Sequence, residues 1–196
     1  MKNNIYVSFE YIITIMIIGL CGACGAGKDT VANILVNEHG FIKLSFAAAL
    51  KDVVSIVFSW PREMLEGDTP ASRAWRETID PFWTKKTEID GFTPRKALQI
   101  VGTNLFRNRL YEDTWIDIVE NKITKILEAR PDARIVITDC RFENEIGLVQ
   151  KFHEARIIQI VKSHIHYSPV YSDFTIQNDG SLEELKSAVF YRVKTL

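Results

Sequence analysis

Residues 22–30 read G-A-C-G-A-G-K-D-T: Gly22, four residues, Gly27 and then Lys28. An apolar, β-branched run at 12–20 leads straight into this segment, and a helix-like stretch at about 28–38 follows it. Strand, glycine-rich turn and helix in that order form a phosphate-binding loop. Glycines let backbone N–H groups converge on phosphate oxygens without Cβ clashes, and the helix N-terminus adds a favourable dipole. Gly22, Cys24, Gly25, Ala26, Gly27, Lys28, Asp29 and Thr30 are therefore the expected nucleotide contacts, with Lys28 as the cation on the β/γ-phosphates. One position departs from the usual pattern. Asp29 stands where a Ser or Thr hydroxyl commonly holds Mg²⁺, and the hydroxyl comes one place later at Thr30. The Asp29 carboxylate either reaches Mg²⁺ through water or simply stabilises the helix start through the dipole.

The rest of the chain repeats the strand–helix alternation. Strands are expected at 41–46, 134–138, 156–161 and 173–176 besides the first, and helices at 28–38, 47–59, 94–110, 114–129 and 142–153 and from Leu182. Thr93 and Pro94 read as N-cap and first residue of one continuous helix to Leu110, and Ser181 with Glu184 as a capping box. Such repeated units imply an α/β fold: a five-stranded parallel sheet between two helical layers, with ligands at the carboxyl ends of the strands. At 196 residues there is room for one such domain. Met16 lies within the first strand, which makes residues 1–15 an N-terminal extension and 16–196 the domain. Glu10 interrupts the apolar run behind Lys2, so the run reads as a buried strand rather than a signal peptide.

Charge and cysteine content exclude several classes. With 24 Lys+Arg against 25 Asp+Glu, the net charge of −1 gives no field to hold the protein on nucleic acid or on an anionic membrane. Three cysteines make no disulfide framework and suit a reducing, cytoplasmic compartment. Cys21 and Cys24 have C-x-x-C spacing, yet they straddle the strand end and the loop, with no second pair for zinc. His39, His153, His164 and His166 form no ligand set by spacing.

Two further clusters carry chemistry. Asp139 follows a buried apolar strand, where a carboxylate beside a phosphate loop can orient Mg²⁺ through water, or can simply face solvent. Arg141, two residues on, can reach the same crevice with its planar fork. Glu143 and Glu145 open a helix, where the dipole alone accounts for acids. On the helix from Pro94, an α-helical period places Arg95, Gln99, the Gly102–Thr103 turn and Arg107 on one face. That face either grips a phosphorylated ligand or is a solvated surface paired with acids such as Glu112 and Asp113.

Several stretches together resemble the viral and bacteriophage deoxynucleoside monophosphate kinase family, within the P-loop kinase fold. They are S-F-A-A-A-L-K at 45–51, R-x-x-x-D-P-F-W at 76–83, T-P-R-K-A-L-Q-I-V-G-T-N-L-F-R at 93–107, V-I-T-D-C-R-F-E-N-E at 136–145 and D-F-T-I-Q-N-D-G-S-L-E-E-L at 173–185. The resemblance implies ATP-dependent phosphorylation of a deoxynucleoside 5′-monophosphate, with ATP and Mg²⁺ as cofactors. Lys28, Arg141 and Asp139 would be catalytic, Asp29 and Asp139 would hold the metal through water, and Asn178 would lie beside the donor adenine. Lys51, Arg95, Gln99 and Arg107 would bind the acceptor, although Lys51 reads equally as a surface lysine. The resemblance also makes 60–91 a mobile acceptor-side insertion, whose Trp60, Trp75 and Trp83 stack on a base or pack the insertion, and 162–172 a short lid. That lid contains Lys162, His164 and His166 but no arginine, and Ser168–Pro169 replaces the family's usual small-acidic pair. Arg141, Arg107 or Arg109 would then supply the missing charge. The expected partners are small-molecule nucleotides, without stable nucleic-acid or membrane association and with a homodimer open. A weaker similarity of the last segment to dephospho-coenzyme A kinases keeps a hydroxyl acceptor in view, and a nucleotide-binding module without turnover is the third reading.

Overall fold

The computed structural model describes residues 16–167 and 171–195. Its centre is a five-stranded, all-parallel sheet of β1 (Met16–Cys21), β2 (Ile42–Leu44), β3 (Arg134–Ile137), β4 (Arg156–Val161) and β5 (Phe174–Gln177), in the order β2-β3-β1-β4-β5. β1 lies between β3 and β4, helices cover both of its faces, and Ile17, Ile18 and Leu20 are fully buried. Alternate residues serve different layers. Ile17 packs with Trp115, Val119 and Ile123 of α6 (Thr114–Ala129) and Ile146 and Val149 of α7 (Glu143–Gln150). Ile18 and Leu20 pack with Val31 and Leu35 of α1 (Lys28–His39) and Leu185 and Val189 of α8 (Leu182–Lys194). This is the three-layer α/β architecture expected from the alternation. Ser181 caps α8 as the capping-box pattern requires, its hydroxyl accepting from the Glu184 N–H at 3.3 Å while Glu184 takes the Ser181 N–H at 2.7 Å.

A third apolar cluster supports the stretch at 60–91. Val54 of α2 (Ala47–Phe58) packs with Trp60, Leu65 and Phe92 beneath α3 (Pro70–Arg76) and α4 (Pro81–Thr87). The tryptophans pack here. Trp60 stacks on Phe58 with centroids 4.6 Å apart and donates its indole N–H to Asp80 at 2.9 Å, and Trp83 donates to the Phe58 carbonyl at 3.1 Å. No described helix is long and apolar enough to cross a membrane.

One expected element is different in kind. The helix from Pro94 is α-helical only through α5 (Pro94–Gln99) and continues as a π-helix over Ile100–Leu110. The Tyr111 N–H bonds the Phe106 carbonyl, five residues back, at 2.9 Å. Two contacts fit the wider turn. The Trp115 indole N–H donates to the Gly102 carbonyl at 3.1 Å, and a Cβ at Gly102 would lie 2.6 Å from Leu50 Cδ2, so the backbone is pressed against α2 there. An α-helical face drawn from Arg95 through Arg107 therefore breaks after Gln99.

Candidate active site

The loop after β1 is closed from below by its own lysine. The Lys28 ammonium donates to the Gly22 and Ala23 carbonyls, each at 2.8 Å. Burial, and then the neighbouring Arg141 guanidinium, hold its pKa below the ordinary lysine value. Asn178, just past β5, donates to the Ala26 carbonyl at 2.7 Å and so supports the loop from the sheet edge. Gly27 has φ +103° and carries no side chain where a Cβ would lie 2.2 Å from Asn178 Nδ2. Gly27→Ala should therefore add about 1–3 kcal/mol of backbone strain and displace Asn178 from the loop. A fluorescent-nucleotide titration should show nucleotide affinity falling roughly tenfold or more.

The two acids expected at the metal have partners of their own. Asp139, beyond the end of β3, accepts from the Ser45 hydroxyl at 2.8 Å and from the Phe46 and Ala47 N–H groups at 2.9 and 3.0 Å. It thereby caps α2, which has no acid in its own first turn. Asp29 is exposed and pairs with Lys43 at 2.9 Å, and Thr30 is exposed beside it.

Glu145, which reads in sequence as a helix-dipole acid, is the buried hub of the adjacent loop. It accepts from the Arg141 and Phe142 N–H groups at 2.8 and 3.1 Å and from the Arg107 guanidinium at 2.5 Å. The two side chains are 12% (Arg107) and 4% (Glu145) exposed, and Arg107 also lies 4.2 Å over the Phe142 ring. Burial pushes the Glu145 carboxyl up, against the pull of the two N–H groups and Arg107. Arg107 is thus engaged with Glu145 rather than aligned with Arg95. Glu145 takes the N–H of the residue three before it, as the acid of a capping box does, but Phe142 has no hydroxyl to complete the pattern, so the sequence carried no capping-box signal for it.

The remaining cations divide sharply. Arg95 is paired with Glu77, and Lys51 donates to Glu66 at 2.6 Å. Glu66 also holds Arg62, which reaches Asp52 at 2.5 Å, and neither Arg62 nor Glu66 stands out in the sequence. Gln99 and Arg109 are exposed. Among the described residues Arg141 meets no carboxylate. It lies near enough to Lys28 to affect that lysine's ionisation, as does Asp139. The structure therefore brings Lys28, Asp139 and Arg141 together at the carboxyl ends of β1 and β3.

In the segment after β4, burial raises the Tyr167 phenol pKa while the Gly22 backbone acts the other way, which puts Tyr167 beside the loop. Ser163 anchors the same segment to Asp179, donating from its N–H at 2.9 Å and from its hydroxyl at 2.6 Å. These bonds, with Gln177, hold the Asp179 carboxyl down at about 2. Ser168–Pro169 and residues 1–15 lie outside the described residues. The three cysteines are free; burial pushes the Cys21 thiol up to about 11, and Cys24 is exposed on the loop.

Comparison with known proteins gives a consistent result. The family model described as Deoxynucleotide monophosphate kinase matches residues 66–189. A protein of Acanthamoeba polyphaga mimivirus, provisionally named a deoxynucleotide monophosphate kinase, is 34% identical over 180 residues, covering 88% of this chain and 84% of its own. The deoxynucleoside-5′-monophosphate kinase of Escherichia phage T5 is 26% identical over 216 residues, covering 86% and 84%. Among solved structures, TT1252 from Thermus thermophilus superposes with a TM-score of 0.51 at 20% identity, covering 93% of this chain and 98% of its own. A protein described as a kinase from Chloroflexus aurantiacus gives 0.51 at 13% identity, covering 94% and 98%. These two share the fold.

Proposed function

Because this chain belongs to the deoxynucleotide monophosphate kinase family and is a kinase, we propose that it transfers the γ-phosphoryl group of ATP to a deoxynucleoside 5′-monophosphate, giving the diphosphate. The observation that carries this reading is the state of Lys28. A half-buried ammonium bonded only to loop carbonyls, beside an arginine that meets no carboxylate among the described residues, is a cationic crevice suited to a polyphosphate.

The chemistry asks for positioning and charge neutralisation more than for covalent participation. Loop N–H groups from Gly22 to Thr30, Cys24, Gly25 and Ala26 among them, cradle the donor phosphates. Lys28 exchanges its two carbonyl partners for β/γ-phosphate oxygens. Arg141 neutralises the transferring group, on a backbone fixed by Glu145. Asn178 keeps the loop in its binding conformation on the donor side. Arg95 and Gln99, at α5, face the acceptor, and Lys51 with Arg107 act through Glu66 and Glu145, as positioning residues. The acceptor phosphate is already an anionic nucleophile, so no side chain has to remove a proton.

The residues present also suit Mg²⁺. Asp29 is exposed with Thr30 beside it, and Asp139 Oδ1 has only one donor, leaving capacity for a metal-bound water. When bound, Mg²⁺ neutralises charge on the β/γ-phosphates. All of these residues lie between 22 and 178, within a working domain of 16–196. Its partners are small nucleotides, and its setting is the cytoplasm. The test is ADP release measured with dAMP, dGMP, dCMP, dTMP and dephospho-coenzyme A in turn. Turnover with one or more of the monophosphates is expected. Turnover with dephospho-coenzyme A alone, or ATP binding without any acceptor, would overturn the reading.

A further inference from the structure

We infer that the chain carries a second ligand site, at the opposite end of the sheet from Lys28 and Arg141: a cavity that binds a small phosphate monoester, its phosphate on Arg130 and Arg134 and a hydroxyl or amino group of its organic part on Asp132. The cavity measures about 410 Å³. It is lined by His39, the last residue of α1, by Ile42, the first of β2, by Arg130, which caps the end of α6, by Arg134, the first of β3, and by Asp132 between them. Arg134 pairs with Met16 at the start of β1, whereas Lys28 and Arg141 lie beyond the carboxyl ends of β1 and β3. The length of the strands therefore separates the two sites.

The charges at this cavity are not paired with one another. Arg130, Asp132 and Arg134 are exposed, and none of them forms an ion pair among the described residues. The carbonyl ends of helices attract cations to such a place, and Arg134 does give one N–H to the His39 carbonyl at 3.4 Å. That bond leaves the other N–H groups of the fork for a ligand. The His39 Nε2 is buried without a hydrogen-bond partner among the described residues, its ring centroid 6.0 Å from that of Phe190. A Cβ at Gly40 would meet nothing within 4 Å, so the space beside the end of α1 is open. The composition of the lining selects the ligand. Guanidinium forks match phosphate oxygens. Asp132 repels a bare polyanion and favours a ligand that brings hydrogen-bond donors of its own. Ile42 offers apolar surface to the organic part, and the volume lies in the range of small-molecule sites rather than of single ions. A sugar phosphate or a nucleotide meets all of these conditions, and inorganic phosphate meets only the first.

The experiment is an NMR titration of the full-length chain with ribose 5-phosphate, a deoxynucleoside monophosphate and inorganic phosphate as separate probes. It follows the arginine Nε–H and histidine ring signals, assigned through Arg130→Met, Arg134→Met and His39→Gln, so that a ligand here is told apart from one at Lys28. The Arg130, Arg134 and His39 signals should shift and saturate with an ester, and inorganic phosphate should bind about fivefold more weakly, the value of an added hydrogen bond. Arg134→Met should weaken ester binding by about tenfold, the loss of a charge-assisted bond. Asp132→Ala should bring ester and inorganic phosphate to within about twofold of each other. If Arg134→Met fails to fold, Arg130→Met, at an exposed position past the end of α6, replaces it. Saturation by either ester supports the site, and the tighter of the two tells a sugar phosphate from a nucleotide as its source. Esters that leave these signals unmoved, or that bind the folded arginine variants as tightly as the wild type, overturn the site. Inorganic phosphate binding as tightly as both esters overturns the assignment to a monoester.

Discussion

Lys28→Ala is expected to lower kcat by about 10²- to 10⁴-fold, the scale of loss when a preorganised charge is removed from a phosphoryl-transfer site. The fold should not suffer. Lys28 bonds only to two carbonyls of its own loop, and burial disfavours its charged form in the folded chain. The sign follows from linkage. A lysine whose folded pKa lies below its unfolded one costs stability at neutral pH, where the unfolded chain holds the proton more firmly. The alanine variant should therefore keep or slightly raise Tm by differential scanning calorimetry while losing turnover, and near-normal activity in a folded variant would contradict the role given to Lys28.

Glu145→Ala should damage stability and chemistry together. Removing the carboxylate strands the buried Arg107 guanidinium and leaves the Arg141 and Phe142 N–H groups without their acceptor. Breaking a buried pair from one side costs about 3–5 kcal/mol, and for a chain of this size that corresponds to a fall in Tm of about 6–20 °C. The same change frees the backbone that carries Arg141, so kcat should drop even at temperatures where the variant remains folded. Arg107→Ala should reproduce the instability through the same buried partner. A Glu145→Ala variant with wild-type Tm and kcat would show that the hub holds neither the fold nor the site.

How far the sequence disclosed this site depends on whether the relevant forces are local. The phosphate loop was legible because strand, glycines and helix must be contiguous to work, and the described structure keeps that order from Cys21 to Lys28. The sheet was legible because β1 is buried on both faces and reads as an apolar run, and β4 reads nearly so, broken within by Gln159 alone. What escaped was set by contacts distant in sequence. Arg107 and Glu145 are 38 residues apart, and either alone resembles an ordinary surface charge. Asp139 caps a helix that starts more than ninety residues earlier, so its role in ordering α2 left no local trace. The π-helical stretch after Gln99 is accompanied by contacts from the distant Trp115 and Leu50, and an α-helical period could not foresee that Arg95 and Arg107 would part.

On the proposed reading, a donor loop closed by Lys28 and an acceptor side carrying Arg95 meet at Arg141 to pass a phosphoryl group between two phosphates. The most direct measurement is a quenched single-turnover reaction of the wild-type chain with γ-³²P-labelled ATP and a deoxynucleoside monophosphate, with the products separated chromatographically. The account predicts that the label appears in the deoxynucleoside diphosphate, on the phosphate added to the acceptor, and that it does so only when both substrates are present. Label released as inorganic phosphate, or retained in ATP with every monophosphate tried, would contradict it.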